Sequence, residues 1–132
     1  MKTIAAMYEI LEALRDISLA AQDTYTVVYN GALPSNDSMC MTLGPGSEVD
    51  IGLDYRGDHE LDIVCNAKHS SQNTVIDALT SVYLMLSRMQ TFPKGDGWTI
   101  HRVDGYSSPR FLERDADQFT YGCSFNVLVT IE

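Results

Sequence analysis

FTYGCSFNVLVTI, residues 119–131, is the stretch of sequence that decides the fold. Its odd positions are all apolar or aromatic: Phe119, Tyr121, Cys123, Phe125, Val127, Val129 and Ile131. Its even positions are small or polar, except for Leu128. Alternation with a period of two predicts a β-strand that buries one face and exposes the other. Because strands are usually about five or six residues long, we expect this one to extend beyond its own sheet and to contact another chain.

The rest of the chain carries both helical and strand patterns. Apolar side chains recur at the helical period over residues 3–19 and again from the Ser70–Ser71 pair to Met89, and either serine is a suitable N-cap for the second helix. Strands are predicted at residues 25–29, 38–43, 61–68 and 98–103. Residues 106–117, around Pro109, are predicted to form a loop.

These elements predict a single α+β domain over residues 1–132. At 132 residues and 45% hydrophobic, the chain is large enough to bury one core without metals or disulfides. Alternating strands imply one exposed sheet face, since strands that are covered on both faces are continuously apolar. We therefore expect a two-layer sandwich, in which a mainly antiparallel sheet has both helices packed on one face.

Charge and cysteine usage exclude several functional classes. A net charge of −9 disfavours general affinity for nucleic acid. No apolar run reaches the roughly 20 residues of a membrane span, and charged residues from Glu9 to Asp16 interrupt the one segment that resembles a signal peptide. Cys40, Cys65 and Cys123 form no C-x-x-C pair, so we expect buried, reduced thiols in a cytosolic setting, with a catalytic thiolate as the alternative.

Two charged segments are candidate interaction surfaces. Residues 48–62 hold six acidic residues and only one cation, but their spacing does not match a calcium loop, and the alternating apolar residues between them favour an extended hairpin arm that faces solvent or a partner. Residues 113–117 form either a solvated turn or a loop whose charges select a partner. The predicted interface residues are Glu48, Asp50, Asp54, Arg56, Asp58, Arg114, Asp115 and Asp117.

Candidate catalytic groups are weak by comparison. His59, His69 and His101 have no i, i+4 spacing, and no G-x-S-x-G motif is present. A serine beside His69 suggests hydrolysis, but helix capping explains the same residues better. We predict no catalytic residue, no metal ligand and no cofactor.

The order of these segments resembles the bacteriophage minor capsid or tail-terminator family. The resemblance rests on four parts: the N-terminal helix, YTVVYNGALP (25–34) with the strand that ends at Gly44-Pro45-Gly46, LDIVCNAKHSSQNTVIDALTSVYLML (61–86) and SPRFLERDADQFTYGCSFNVLV (108–129). It extends over nearly the whole chain and depends on the order and spacing of elements.

The resemblance implies a non-enzymatic virion subunit, made in the host cytoplasm, that caps the tail tube and joins the tail to the head. It implies a self-associating ring, expected to be hexameric, whose partners are the tail tube protein and a head-completion protein. DNA is expected to pass through the ring without specific binding, and no membrane is involved. Two alternatives remain open: a small enzyme or ligand-binding domain that uses the open sheet face, with His69, Cys65 or His101 as the reactive group, and a host-directed adaptor.

Overall fold

The computed structural model describes residues 2–19, 24–25, 28–30, 36–43 and 57–131. In chain order, its elements are α1 (Lys2–Leu19), β1 (Val28–Asn30), β2 (Ser38–Leu43), β3 (Gly57–His69), α2 (Gln72–Ser87), β4 (Lys94–Gly95), β5 (Trp98–Asp115) and β6 (Gln118–Ile131). Apart from the two-residue β4, this is the order that the sequence patterns predict.

The strands of this described part form one sheet in the order β1-β2-β3-β6-β5-β4. Strands β1 and β2 pair in parallel, whereas the other neighbours pair antiparallel. Strand β6 pairs with β3 from Phe119 to Ile131 and with β5 from Gln118 to Ile131. The expectation that β6 extends beyond its sheet was therefore wrong, because β3 and β5 are themselves 13 and 18 residues long and flank β6 throughout.

Both helices pack on the same face of this sheet, which confirms the predicted α+β sandwich. The odd positions of β3 and β6 point into one apolar cluster with α1 and α2, and this cluster includes the fully buried Leu14, Ile63, Leu79 and Val127. The alternation that is visible in the sequence thus assigns one strand face to the helices and leaves the even positions on the other face.

The start of α2 explains how the chain turns from β3 into the helical layer. Ser71 is the N-cap, and its hydroxyl accepts a hydrogen bond from the backbone N–H of Thr74 at 3.4 Å. This hydroxyl satisfies one of the amides that have no partner within the first helical turn. Of the two candidate serines, Ser71 is therefore the cap, and its role is structural.

The predicted loop at residues 106–117 was wrong, because strand β5 continues through it to Asp115. Only Ala116 and Asp117 form the turn before β6. Register shifts after Ile100, Gly105, Ser107 and Phe111 insert extra residues into β5 and bend it. These bulges destroy the sequence alternation while most of the pairing with β6 is retained, so the pattern alone predicted a loop.

All three cysteines are buried and free, in agreement with the predicted burial. Burial raises the pKa of the Cys40 thiol from 9.0 to about 11. A hydrogen bond with Cys123, together with burial, raises the pKa of the Cys65 thiol well above its usual value. Raised pKa values disfavour the thiolate, so neither side chain has the character of a catalytic nucleophile.

Candidate interaction site on the open face

A cavity of about 310 Å³ lies on the sheet face opposite the helices. It spans three adjacent strands, since β3, β6 and the bent part of β5 all contribute to its lining. The residues around it are Asp62, Val64, Asn66, Tyr106, Ser107, Arg110, Leu112, Gly122, Cys123 and Ser124. Four of these residues bear a hydroxyl or an amide, and Val64, Leu112 and the Tyr106 ring are apolar or aromatic. This composition suits recognition by shape with a few polar contacts.

The floor of the cavity depends on the absence of a side chain at Gly122. Gly122 pairs directly with Asn66 across β3 and β6. A Cβ atom at Gly122 would collide with the Oδ1 atom of Asn66 and lie 2.9 Å from the Cδ1 atom of Leu112. Glycine therefore allows the Asn66 amide and the Leu112 side chain to meet above the centre of β6.

The Asn66 Oδ1 atom is a buried acceptor that has no hydrogen-bond partner among the described residues. A buried polar atom without a partner costs about 1–3 kcal/mol, so it is normally satisfied by a ligand, by water or by another protein group. Asn66 lines the cavity, but its Oδ1 atom is itself buried, so a donor that enters the cavity reaches this atom only if the Asn66 side chain turns toward it.

The outer wall of the cavity is unusually apolar for an exposed strand. Tyr106 is 79% exposed and Leu112 is 42% exposed, and Phe111 between them in sequence is 52% exposed. The Phe111 ring packs edge-on against Tyr121 with centroids 5.5 Å apart, whereas Tyr106 and Leu112 line the cavity. Clustered exposed apolar side chains of this kind are typical of contact surfaces.

Arg110 supplies the cationic group at this wall. Arg102 on the same strand forms ion pairs with Asp104 at 2.6 Å and Glu60 at 3.9 Å, and the Arg114 guanidinium lies 5.1 Å from the centre of the Phe119 ring. Within the described part of the chain, Arg110 has no ion pair. Its guanidinium is therefore available to a partner.

Four of the eight predicted interface residues are described by the structure, and these four lie near opposite ends of β6. Glu48, Asp50, Asp54 and Arg56 lie outside the described residues. Asp58 is exposed on β3 and accepts a hydrogen bond from Thr130 at 2.6 Å, near the end of β6. The other described members, Arg114, Asp115 and Asp117, are also exposed, but they lie beside the start of β6. At 3.3 Å per strand residue, that end of β6 is roughly 40 Å from Asp58.

The three candidate reactive groups are likewise separate from one another and from the cavity. Cys65 faces the helices. His69 accepts the backbone N–H of Ser71 at 2.9 Å through Nδ1, and its Nε2 lies 3.9 Å from Asp37. His101 Nε2 contacts the Thr130 hydroxyl at 2.6 Å. Each histidine is thus held in a local contact, and neither lines the cavity.

Sequence reasoning missed most of the residues that form the cavity, chiefly Asn66, Arg110, Leu112 and Gly122. The assignment of residues 106–117 to a loop hid the wall, although a glycine at the centre of an otherwise regular strand is a recognisable signal of close packing. In the part of the chain described by the structure, no group of three or more His, Cys, Asp or Glu side chains is placed to hold a metal ion. No described helix is long and apolar enough to cross a membrane.

Comparison with known proteins places this fold among solved structures. No protein-family model matches the chain, and no curated protein matches it. A chain from the virion of a native gene transfer agent (GTA) particle matches with a TM-score of 0.53 and 20% sequence identity. The match covers 96% of this chain and 93% of that chain, so the two share a fold over essentially their full lengths.

Proposed function

We propose that this protein is a structural subunit of a phage-like virion, and more specifically a tail terminator that caps the tail tube and joins the tail to the head. The observation that carries the proposal is the full-length fold likeness to a chain of the gene transfer agent virion. The order of segments in the sequence resembles the tail-terminator family, and this resemblance supports the finer assignment independently of the fold likeness.

The exposed residues of β5 support a role in assembly with other subunits. The exposed apolar residues and the unpaired arginine lie on one strand, in the pattern of a protein contact with an aromatic centre and a charged rim. A ring needs a heterologous contact, in which one patch meets a different patch of the next subunit. The net charge of −9 suits a ring through which DNA passes without adhering.

The experiment that tests this function uses the particles encoded together with this chain. Deletion of its gene is expected to give heads that lack tails and tubes of irregular length, because nothing then ends tube growth. Purified protein added to tail tubes is expected to bind one end, visible by electron microscopy. Particles of normal length that join heads without this protein would contradict the proposal.

A ligand-binding domain on the open face is the second candidate, and the cavity of about 310 Å³ favours it. That volume is within the range of small-molecule sites, about 300–1,000 Å³. Native mass spectrometry of freshly purified protein distinguishes the two functions: a small molecule that co-purifies at one copy per chain supports this candidate, whereas the bare chain mass counts against it.

A further inference from the structure

We propose that the cavity on the open face receives Tyr8 of a second copy of this chain, and that this contact builds the ring. The inference rests on the proposed function, since it names the surfaces through which neighbouring subunits of that ring meet. Three properties of the cavity define its occupant: an acceptor that lacks a partner, an apolar wall and an unpaired cation.

The occupant of the cavity needs a hydrogen-bond donor for Asn66 Oδ1 on an otherwise apolar side chain. Asn66 Oδ1 is buried without a partner among the described residues, while Tyr106 and Leu112 form a largely apolar wall. A tyrosine suits both, because its ring packs on the wall and its hydroxyl donates to the amide oxygen once the Asn66 side chain turns toward the cavity. Aromatic side chains with a polar tip are also the residues that most often dominate the energy of protein contacts.

The chain itself offers such a residue on its opposite layer. Five large apolar side chains of the described residues are more than a third exposed, and Tyr8, at 57%, is the aromatic one that lies away from β5. Tyr8 is on the outer side of α1, since α1 turns Ile10, Leu11 and Leu14 into the core. Because α1 covers one sheet face and the cavity opens on the other, Tyr8 cannot reach the cavity of its own chain.

Glu12 of one patch and Arg110 of the other have opposite charges, although the carboxylate of Asp62 also lines the cavity. Glu12 follows Tyr8 by four residues and is exposed, so the two side chains share one side of α1. Among the described residues Glu12 has no ion pair, and neither has Arg110 beside the cavity. Insertion of Tyr8 next to Leu112 therefore brings a free carboxylate toward a free guanidinium, which selects this pairing over others.

The geometry is head-to-tail, as a ring requires. Each copy presents its helical layer to one neighbour and its open sheet face to the other, so the two patches of a contact are different. A contact of this kind leaves one Tyr8 and one cavity free in every open chain of subunits. Only closure into a ring, or growth into a filament, occupies all of them.

A charge-swap cycle tests this contact. Association is measured by sedimentation over a concentration series, for the protein alone and with tail tubes. Tyr8→Ala, Arg110→Glu and Glu12→Arg are each expected to lower the association constant at least about tenfold. The double variant Glu12→Arg/Arg110→Glu is expected to recover to within about threefold of the original chain, because the pair is restored with reversed signs.

Leu84→Ala and Arg88→Glu are matched controls on another surface. Leu84 is an exposed leucine of α2, and Arg88 is an exposed arginine directly after the end of α2. Both control variants are expected to assemble normally. Circular dichroism confirms that each variant is folded. Folded Tyr8→Ala and Arg110→Glu proteins that assemble like the original chain overturn this inference alone. A wild-type protein that joins neither its own copies nor tubes overturns the proposed function as well.

Discussion

Cys65 on β3 directly faces Cys123 on β6 at the centre of the sheet, and both side chains are buried, at 0% and 3% exposure. The pair lies on the sheet face that packs against the helices. Strand β2 adds the third thiol, Cys40, which is 1% exposed. All three cysteines are therefore buried, and none lies on the surface.

Thiol reactivity should follow this burial. We expect no cysteine of the folded chain to react with a soluble disulfide reagent on the timescale of minutes, because each thiol is shielded and the pKa values of Cys40 and Cys65 are raised. All three should react in denaturant. One fast-reacting thiol without denaturant would show that the core opens locally.

Stability should fall in alkaline solution because of Cys40. Its pKa rises from 9.0 to about 11 on folding, so the folded chain holds the thiol proton more tightly than the unfolded chain. The resulting contribution of Cys40 to the free energy of unfolding is fully present below about pH 9 and is lost as the pH rises toward 11. Its upper limit is about 3 kcal/mol. Denaturant unfolding of Cys40→Ala between pH 8 and 10 should therefore show a smaller decline than the original chain. Equal slopes for the two proteins would contradict the assignment to Cys40.

Substitution of Gly122 should disturb the floor of the cavity. Gly122→Ala places a methyl group against Asn66 Oδ1 and Leu112 Cδ1, and overpacking of this kind costs about 1–3 kcal/mol. Chemical denaturation measures the loss. Leu112→Ala in the same chain should recover part of it by making room, whereas an additive double variant would show that the two side chains do not compete.

The two serines before α2 should differ in their effect on stability. Ser71→Ala removes the hydroxyl that caps α2 and should lower the free energy of unfolding by about 1 kcal/mol. Ser70→Ala is the matched control, since the Ser70 contact to Asp37 uses its backbone N–H, and it should change stability by less than about 0.5 kcal/mol. The reverse order would mean that the helix begins one residue earlier.

The turn between β5 and β6 contains a residue that glycine should replace favourably. Ala116 has a φ of 54°, in the left-handed region, where a Cβ atom costs about 1–2 kcal/mol. Glycine removes that cost but adds about 0.5–1 kcal/mol of backbone entropy, so Ala116→Gly should stabilise the fold by about 0.5 kcal/mol. Asp117 has no positive φ, so Asp117→Gly should instead destabilise the fold. Thermal unfolding of both variants and of the original chain measures the two effects.

The sequence by itself determined the layers of this protein. The alternation of residues 119–131 predicted β6 and its two faces, and the spacing of Ile10 and Leu14 predicted which side of α1 is buried. These properties are local: a side chain's direction is set by the period of its own helix or strand. Local patterns were therefore sufficient for the α+β sandwich, and they restricted the cap of α2 to Ser70 or Ser71, of which the structure selects Ser71.

The pairing between distant segments was decided only by the tertiary structure. Residues 106–115 carry no strand pattern, yet they become part of β5 because β6 offers a partner and bulges absorb the extra residues. The cavity follows from that pairing, since it brings Asn66, Gly122 and Leu112 together from three strands. The same topology separates Asp58 from Asp115 along the length of β6. Register is a long-range property, and nothing in the spacing of one segment specifies which residue of another segment will lie beside it.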